Sequence, residues 1–266
     1  MNNVDSPKPS VMSTLRVQGQ VIYALIMREI ITRFGRKNLG FLWFALEPII
    51  LAAGVVAIRI VMHTNFRSAP IAPFIVISYC NLMVWRLCAS RGMVAIESNR
   101  SLLYYRQIRI QDIFTARMLL EVAGVTTSFL FLWLLFAFMG LMTWPKDPLL
   151  MATGWLLACW FAASLGTFLG CLSHFFEVVD RIWPPISHFL MIFSAVFYEV
   201  DWLPKILQRW ILINPFVHPI EMTRAGYWGD GPHWHYSMMY LTGACMTLTL
   251  ASGLLMRNQA LRSPRS

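Results

Sequence analysis

Six stretches of roughly twenty largely apolar residues recur along the chain, and nearly all the charge lies between them. A helix needs about 20 apolar residues to cross a hydrocarbon core about 30 Å thick. Inside lipid, backbone polar groups are satisfied only by helices or closed barrels. The runs are continuously apolar rather than alternating, so the pattern predicts an all-α membrane protein. The expected spans cover residues 41–62, 71–89, about 118–142, 149–172, 182–198 and 236–256. The fifth is short and has Pro184 and Pro185 near its start. Charged residues make up 13% of the chain and apolar ones 57%, whereas a soluble domain carries about 25% charge.

The net charge of +9 follows the polar segments and forms no basic stripe on a soluble face, so nucleic acid is not an expected partner. Fifteen Lys and Arg residues fall on one side of the six-span pattern and five on the other. The richer side is cytoplasmic by the positive-inside rule, and it holds both termini and the 90–117 loop. Residues 1–14 are expected to be a disordered cytoplasmic tail without signal-peptide character, 41–256 the six-span domain, and 257–266 a second cytoplasmic tail. Between tail and spans, 15–40 reads as an amphipathic helix. One arc holds Tyr23, Ala24, Met27, Ile30, Ile31 and Phe34; the opposite arc holds Arg28, Glu29, Thr32, Arg33 and Arg36, with Leu25 and Ile26 as exceptions. Such a helix lies along the membrane surface with its cations toward anionic lipid. The outer segment 199–235 carries four tryptophans and four prolines. It predicts one or two short helices dipping into the outer interface.

No P-loop, HExxH or GxSxG motif occurs, and paired carboxylates at catalytic spacing are missing from the polar loops, so nothing points to an enzyme or to a nucleotide site in this chain. The cysteines (Cys80, Cys88, Cys159, Cys171 and Cys245) sit in or beside apolar blocks and read as packing residues. His233 and His235 point apart on a helix and read with Trp234 as an interfacial anchor. Four ionisable residues lie inside expected spans: Glu47, Arg59, Arg86 and Glu121. Charge at that depth faces protein or water. Glu47, Arg86 and Glu121 lie near the cytoplasmic ends of their spans, where one ionic cluster is expected to pin three helices. Arg59 lies near the outer end of its span. Trp85, Arg86 and Arg91, with Arg59, are the substrate-path candidates. Pro48 is expected to kink the first span, and Gly166 and Gly170 form a GxxxG that favours internal helix packing.

The 90–117 loop mixes cations with an apolar-aromatic knob of Leu102, Leu103, Tyr104 and Tyr105. Water alone does not favour such a knob, which fits a protein–protein contact. Three segments, MREIITRFGRKNLGFLWFALEP, AIESNRSLLYYRQIRIQDIFTARMLLE and NPFVHPIEMTRAGYWGD, resemble the permeases of capsular polysaccharide exporters. These are inner-membrane subunits of type-2 ABC transporters in Gram-negative bacteria. The resemblance runs from about Gln18 to Met256. It implies a homodimer of six-span subunits, each joined to a cytoplasmic ATPase that binds ATP and Mg, with no cofactor in this chain. It places the coupling element at 95–112, with Glu97, Asn99, Leu102, Leu103, Tyr104, Tyr105 and Arg106 as ATPase-facing candidates. It makes the 17–37 helix, with Arg28, Glu29 and Arg33, the interface helix, and it implies re-entrant helices after the fifth span. The expected cargo is an acidic, lipid-linked polysaccharide, received beyond the membrane by a periplasmic co-polymerase and an outer-membrane export protein. The expected alternatives are a type-2 permease for a lipid-linked O-antigen or a drug, or a membrane-embedded glycan-assembly enzyme using Glu199, Asp201, Glu221 or Asp230.

Overall fold

The structure, a computed structural model, describes residues 11–34, 71–104, 108–229 and 234–262. Every described element is helical. The long ones are α1 (Val11–Phe34), α2 (Ile71–Met93), α4 (Ile110–Phe138), α5 (Pro148–Phe175) and α9 (Met238–Arg262). The short ones are α3 (Ala95–Ser98), α6 (Val178–Phe193), α7 (Lys205–Ile211) and α8 (Val217–Trp228), with 3₁₀ turns at Arg100–Tyr104 and Val200–Trp202. Four described helices are long and apolar enough to cross a membrane: α2, α4, α5 and α9. They correspond to the second, third, fourth and sixth expected spans. The first, with Glu47, Pro48 and Arg59, lies outside the described residues.

Several bounds differ from expectation for local reasons. The third span starts at Ile110 rather than near 118, because Asp112 closes its first turn: its Oδ2 accepts from the Arg109 backbone N–H at 3.0 Å. The carboxylate satisfies an otherwise orphaned amide and suits the positive helix end. The polar loop therefore shrinks to residues 94–109. The fifth expected span is α6, which begins at Val178 and has 16 residues, about 24 Å at 1.5 Å per residue. Pro184 and Pro185 sit inside it and remove two amides from its ladder. Asp147 caps α5 by accepting from Leu150 N at 2.9 Å, with Pro148 in the first turn.

The core forms around α2 and α5, whose contact is built on glycine. A Cβ on Gly92 would strike the Gly166 carbonyl, and one on Gly170 would strike the Gly92 carbonyl. The GxxxG thus serves internal packing, as its spacing predicts. On its other flank α5 receives α8 just as closely: Gly154 lies against Thr223 and Gly226 against Met151. All five cysteines are buried and unbridged.

The outer segment departs most from expectation. The short α7 does expose Ile206 and Trp210, as an interfacial helix should. The α8 helix does not: residues 217–227 are all buried, inside the bundle and against α5 and α2.

Candidate functional site

The end of the bundle between α2 and α4 gathers the residues of the expected coupling element. The chain leaves α2, makes the single turn of α3, and reaches Asn99, which is buried. Asn99 Nδ2 donates to Ala95 O at 2.9 Å and ends the turn. Its free Oδ1 accepts from Arg28 Nη1 of α1 at 2.9 Å. One residue along α1, Glu29 pairs with Arg117 of α4 at 2.7 Å, with side-chain exposures of 19% and 6% respectively. Arg117 also donates to Ser98 Oγ at 3.4 Å. About three turns earlier on α1, Gln18 Nε2 donates to Asp112 Oδ1 at 2.8 Å. Beneath these contacts lies a small apolar core of Ala95, Ile96, Ile113, Phe114 and Cys171, against which Leu25 and Leu103 pack.

Two expectations are corrected here. Within the polar arc of α1, Arg28 and Glu29 turn toward protein rather than toward anionic lipid, because Asn99 and Arg117 offer them fixed partners. Leu25, an exception on the simple wheel, packs on the apolar core beside them. Tyr23, Met27 and Ile31 stay exposed, so α1 has an exposed and a protein-facing surface. The helix also begins at Val11, within the stretch expected to be disordered. The side chain of Arg33, and all of Tyr105 and Arg106, lie outside what the structure describes.

The other coupling candidates divide by exposure. Tyr104 is 86% exposed. Glu97 and Arg100 lie 3.9 Å apart on the surface, a pair that contributes little in water. Leu102 is half-buried, and so is Leu103, which turns inward. The projecting group of the knob is thus Tyr104, with Leu103 as its root.

Of the expected ionic cluster, Arg86 and Glu121 do not pair with each other, and the third member, Glu47, lies outside the described residues. The Arg86 guanidinium points to α6, where Nη1 contacts Met191 Sδ at 3.6 Å; Glu121 is buried on α4. Arg86 instead lines a cavity of about 320 Å³ between α2 and α6. Trp85 is 3% exposed and packs on Phe216, with ring centroids 4.6 Å apart, and on Trp183 at 6.4 Å. It is a core residue of the described bundle rather than a groove residue. Arg91 is exposed at the cytoplasmic end of α2.

At the opposite end lies a polar centre that the sequence analysis missed. Arg224, grouped by sequence with the outer-surface cations, is fully buried on α8. It pairs with Glu221 Oε1 at 3.1 Å. It donates to Ser78 Oγ of α2 at 2.6 Å, to Val196 O at 3.1 Å and to Tyr198 O at 3.0 Å. Its guanidinium carbon stands 4.0 Å from the centroid of the Phe74 ring. One side chain thus ties α8, α2 and the 195–199 turn together. That turn holds Ala195 at φ 59°, a left-handed conformation that an L-residue adopts only when its surroundings hold it there. Glu221 Oε2 accepts from His235 N at 3.3 Å, and burial pushes its carboxyl above the usual range while Arg224 opposes that shift. His218 receives the Ser237 N–H on Nδ1 at 3.1 Å and meets Leu212 O through Nε2 at 3.0 Å. Burial lowers its pKa. Glu221, one of the acids considered for an enzyme, is therefore held in an ion pair inside the protein. Asp230 lies outside the described residues. The sequence signal was a Glu and an Arg three apart in a segment with no consistently polar face.

Apolar helices long enough to span a membrane, a polar-latched helix at one end and a buried charged helix toward the other make up an integral membrane protein. The chain belongs to the ABC-2 type transporter family, whose profile matches residues 20–228. It is 38% identical over 248 residues to the capsule polysaccharide export inner-membrane protein CtrC of Neisseria meningitidis serogroup A, covering 93% of each chain. Over 246 residues it is 35% identical to the capsule polysaccharide export inner-membrane protein BexB of Haemophilus influenzae, covering 92% of this chain and 93% of that one. It is 27% identical over 235 residues to the polysialic acid transport protein KpsM of Escherichia coli, covering 86% and 90%.

Proposed function

We propose that this chain is the permease subunit of an ATP-driven exporter, moving a lipid-linked acidic capsular polysaccharide across the bacterial inner membrane. The observation that carries this function is the similarity to CtrC across 93% of both chains. Two copies, each with six spans and cytoplasmic termini, form the conduit between them. The first span supplies Arg59, and the outer segment supplies re-entrant helices. A cytoplasmic ATPase holds ATP and Mg and docks on the Tyr104 side of the α3 turn. A periplasmic co-polymerase and an outer-membrane export protein take the polymer onward.

Closure of the ATPase pair pushes on α3. The Arg28–Asn99 bond and the Glu29–Arg117–Ser98 chain carry the push into α1 and α4 together. ATP acts by stabilising one of two arrangements of the helices, a population shift rather than a direct pull on the polymer.

Affinity purification of the full-length chain from its native membrane tests this. The expected result is a two-to-two complex with a P-loop ATPase, together with loss of surface polysaccharide on deletion of the chain. A deletion strain with normal surface polysaccharide overturns the cargo. Purification without an ATPase overturns the class.

A further inference from the structure

The cavity between α2 and α6 has no role in the coupling path or in the outer polar centre. Arg86 enters it from a spanning helix, seven residues before the end of α2 at Met93. That places its Cα about 10 Å inside the helix end at 1.5 Å per residue, within the hydrocarbon. A cation there normally faces a counter-charge or water. Among the described residues, the polar contact of Arg86 is the thioether of Met191, a weak acceptor, and no acid lines the cavity. Ser90, Ser187 and His188 share it with Arg86, and Leu87 and Trp183 form part of its apolar wall. Ser187 donates its hydroxyl to Pro184 O at 2.8 Å, and His188 Nδ1 meets the same carbonyl at 2.7 Å. Ser90 likewise donates to Leu87 O at 3.2 Å, so these hydroxyl and ring protons are spent within the helices and Arg86 is the donor left to face the cavity.

We infer that this cavity binds the anionic junction of an amphiphile: a phosphodiester carrying alkyl chains, with Arg86 as its anchor. The inference rests on the export function proposed above, in which the cargo carries a lipid at one end. The Arg fork matches phosphate oxygens two at a time. At about 320 Å³, the cavity equals roughly ten waters at about 30 Å³ each. That holds a phosphodiester with its glycerol and first methylenes, and it is too small for a polysaccharide chain. The apolar wall fits alkyl groups and offers nothing to sugar hydroxyls. Arg86 is thereby a substrate-binding residue.

The test is binding of dioctanoyl phosphatidylglycerol to the full-length chain in zwitterionic nanodiscs, read by native mass spectrometry. Uncharged dioctanoylglycerol and hexagalacturonate serve as comparison probes. The expected result is saturable binding of the phosphodiester, at least tenfold weaker in Arg86→Gln, only a fewfold weaker in Arg86→Lys, and unchanged in Met191→Leu. Ser90→Phe, at an exposed position, blocks the cavity with Arg86 intact and is expected to lose binding at least tenfold even if Arg86→Gln fails to fold. Wild-type binding in folded Arg86→Gln or Ser90→Phe overturns the site. Hexagalacturonate binding with equal dependence on Arg86 overturns the lipid assignment in favour of sugar carboxylates. Arg86-independent binding in an export-competent chain refutes only this site. Arg86-dependent binding in a chain whose deletion leaves surface polysaccharide intact refutes only the export function.

Discussion

Replacing Arg224 with Met keeps most of the side-chain volume and removes the charge at the outer polar centre. Glu221 is then left in a site where both partners are fully buried. Removing one partner of a buried pair costs about 3–5 kcal/mol. The carbonyls of Val196 and Tyr198 lose donors as well, at about 1–3 kcal/mol for each buried group left unmade. Against a typical total of about 5–15 kcal/mol, that is enough to empty the folded state. The Arg224→Met chain is expected to fall severalfold in membrane abundance and to lose its cooperative thermal transition in detergent. Adding Glu221→Gln removes the stranded charge and is expected to restore part of both. The sign with pH is also fixed. A stranded Glu221 has a folded pKa above its unfolded value, so the folded state of Arg224→Met binds the extra proton. Its stability is expected to rise as pH falls from 8 toward 5. Unchanged abundance in Arg224→Met, or a double variant no better than the single one, refutes the view of Arg224 as a clamp.

Four shorter expectations follow from the same geometry. His218 has a lowered pKa in the folded state, so its contribution to stability is fully present above its unfolded value of about 6.5 and is lost as pH falls below it; His218→Gln is expected to flatten that acid limb in thermal melts. Tyr104→Asp is expected to leave abundance unchanged and uncouple ATP hydrolysis from export, whereas Leu103→Asp is expected to lower abundance too, because Leu103 packs on a core; polysaccharide and permease levels measured together separate the two. Gly170→Val is expected to abolish the folded chain, while Gly124→Ala, which meets nothing within 4 Å, is expected to gain up to about 1 kcal/mol from helix propensity; equal thermal stability of the two variants contradicts this. Cysteine labels at Arg100 and Arg257 are expected to react only from the cytoplasm, and at Lys146 and Trp228 only from outside; reversed labelling refutes the orientation.

Much of the fold was legible because lipid is a simple solvent. A run of about 20 apolar residues has few options, and four such runs became α2, α4, α5 and α9. The start of α4 was placed eight residues late, because a span count follows apolar residues and passes over the polar first turn that Asp112 closes. The GxxxG on α5 stated its packing, though not its partner. What stayed hidden depends on tertiary pairing. The α8 helix holds His218, Glu221, Thr223 and Arg224 within 12 residues and reads as surface. Its charges are buried only because Ser78, Val196, Tyr198 and His235 come from elsewhere to meet them. The two surfaces of α1 were hidden similarly: a wheel sorts residues by polarity and cannot tell an arginine facing lipid from one facing Asn99. Arg86 and Glu121 were placed together on depth alone, and depth does not say which way a side chain turns around its helix.

The glycine contact between α2 and α5 has a mechanical consequence. With no side chain between them at Gly92, Gly166 and Gly170, the two backbones have no soft layer on which to slide. Sub-ångström displacement drives a carbonyl into a Cα. The pair therefore behaves as one beam with a single set of rigid-body coordinates. In the proposed exporter, a displacement at the α3 turn would rotate that beam as a whole, carrying Ser78, about 21 Å along α2 from Gly92 at 1.5 Å per residue. There Arg224 grips it and passes the motion into the 195–199 turn at the end of α6. The compliant parts are left at the rim, in α6 with its two prolines and in α9. A stroke at one face of the membrane thus reaches the other through stiffness in the centre and flexure at the edges.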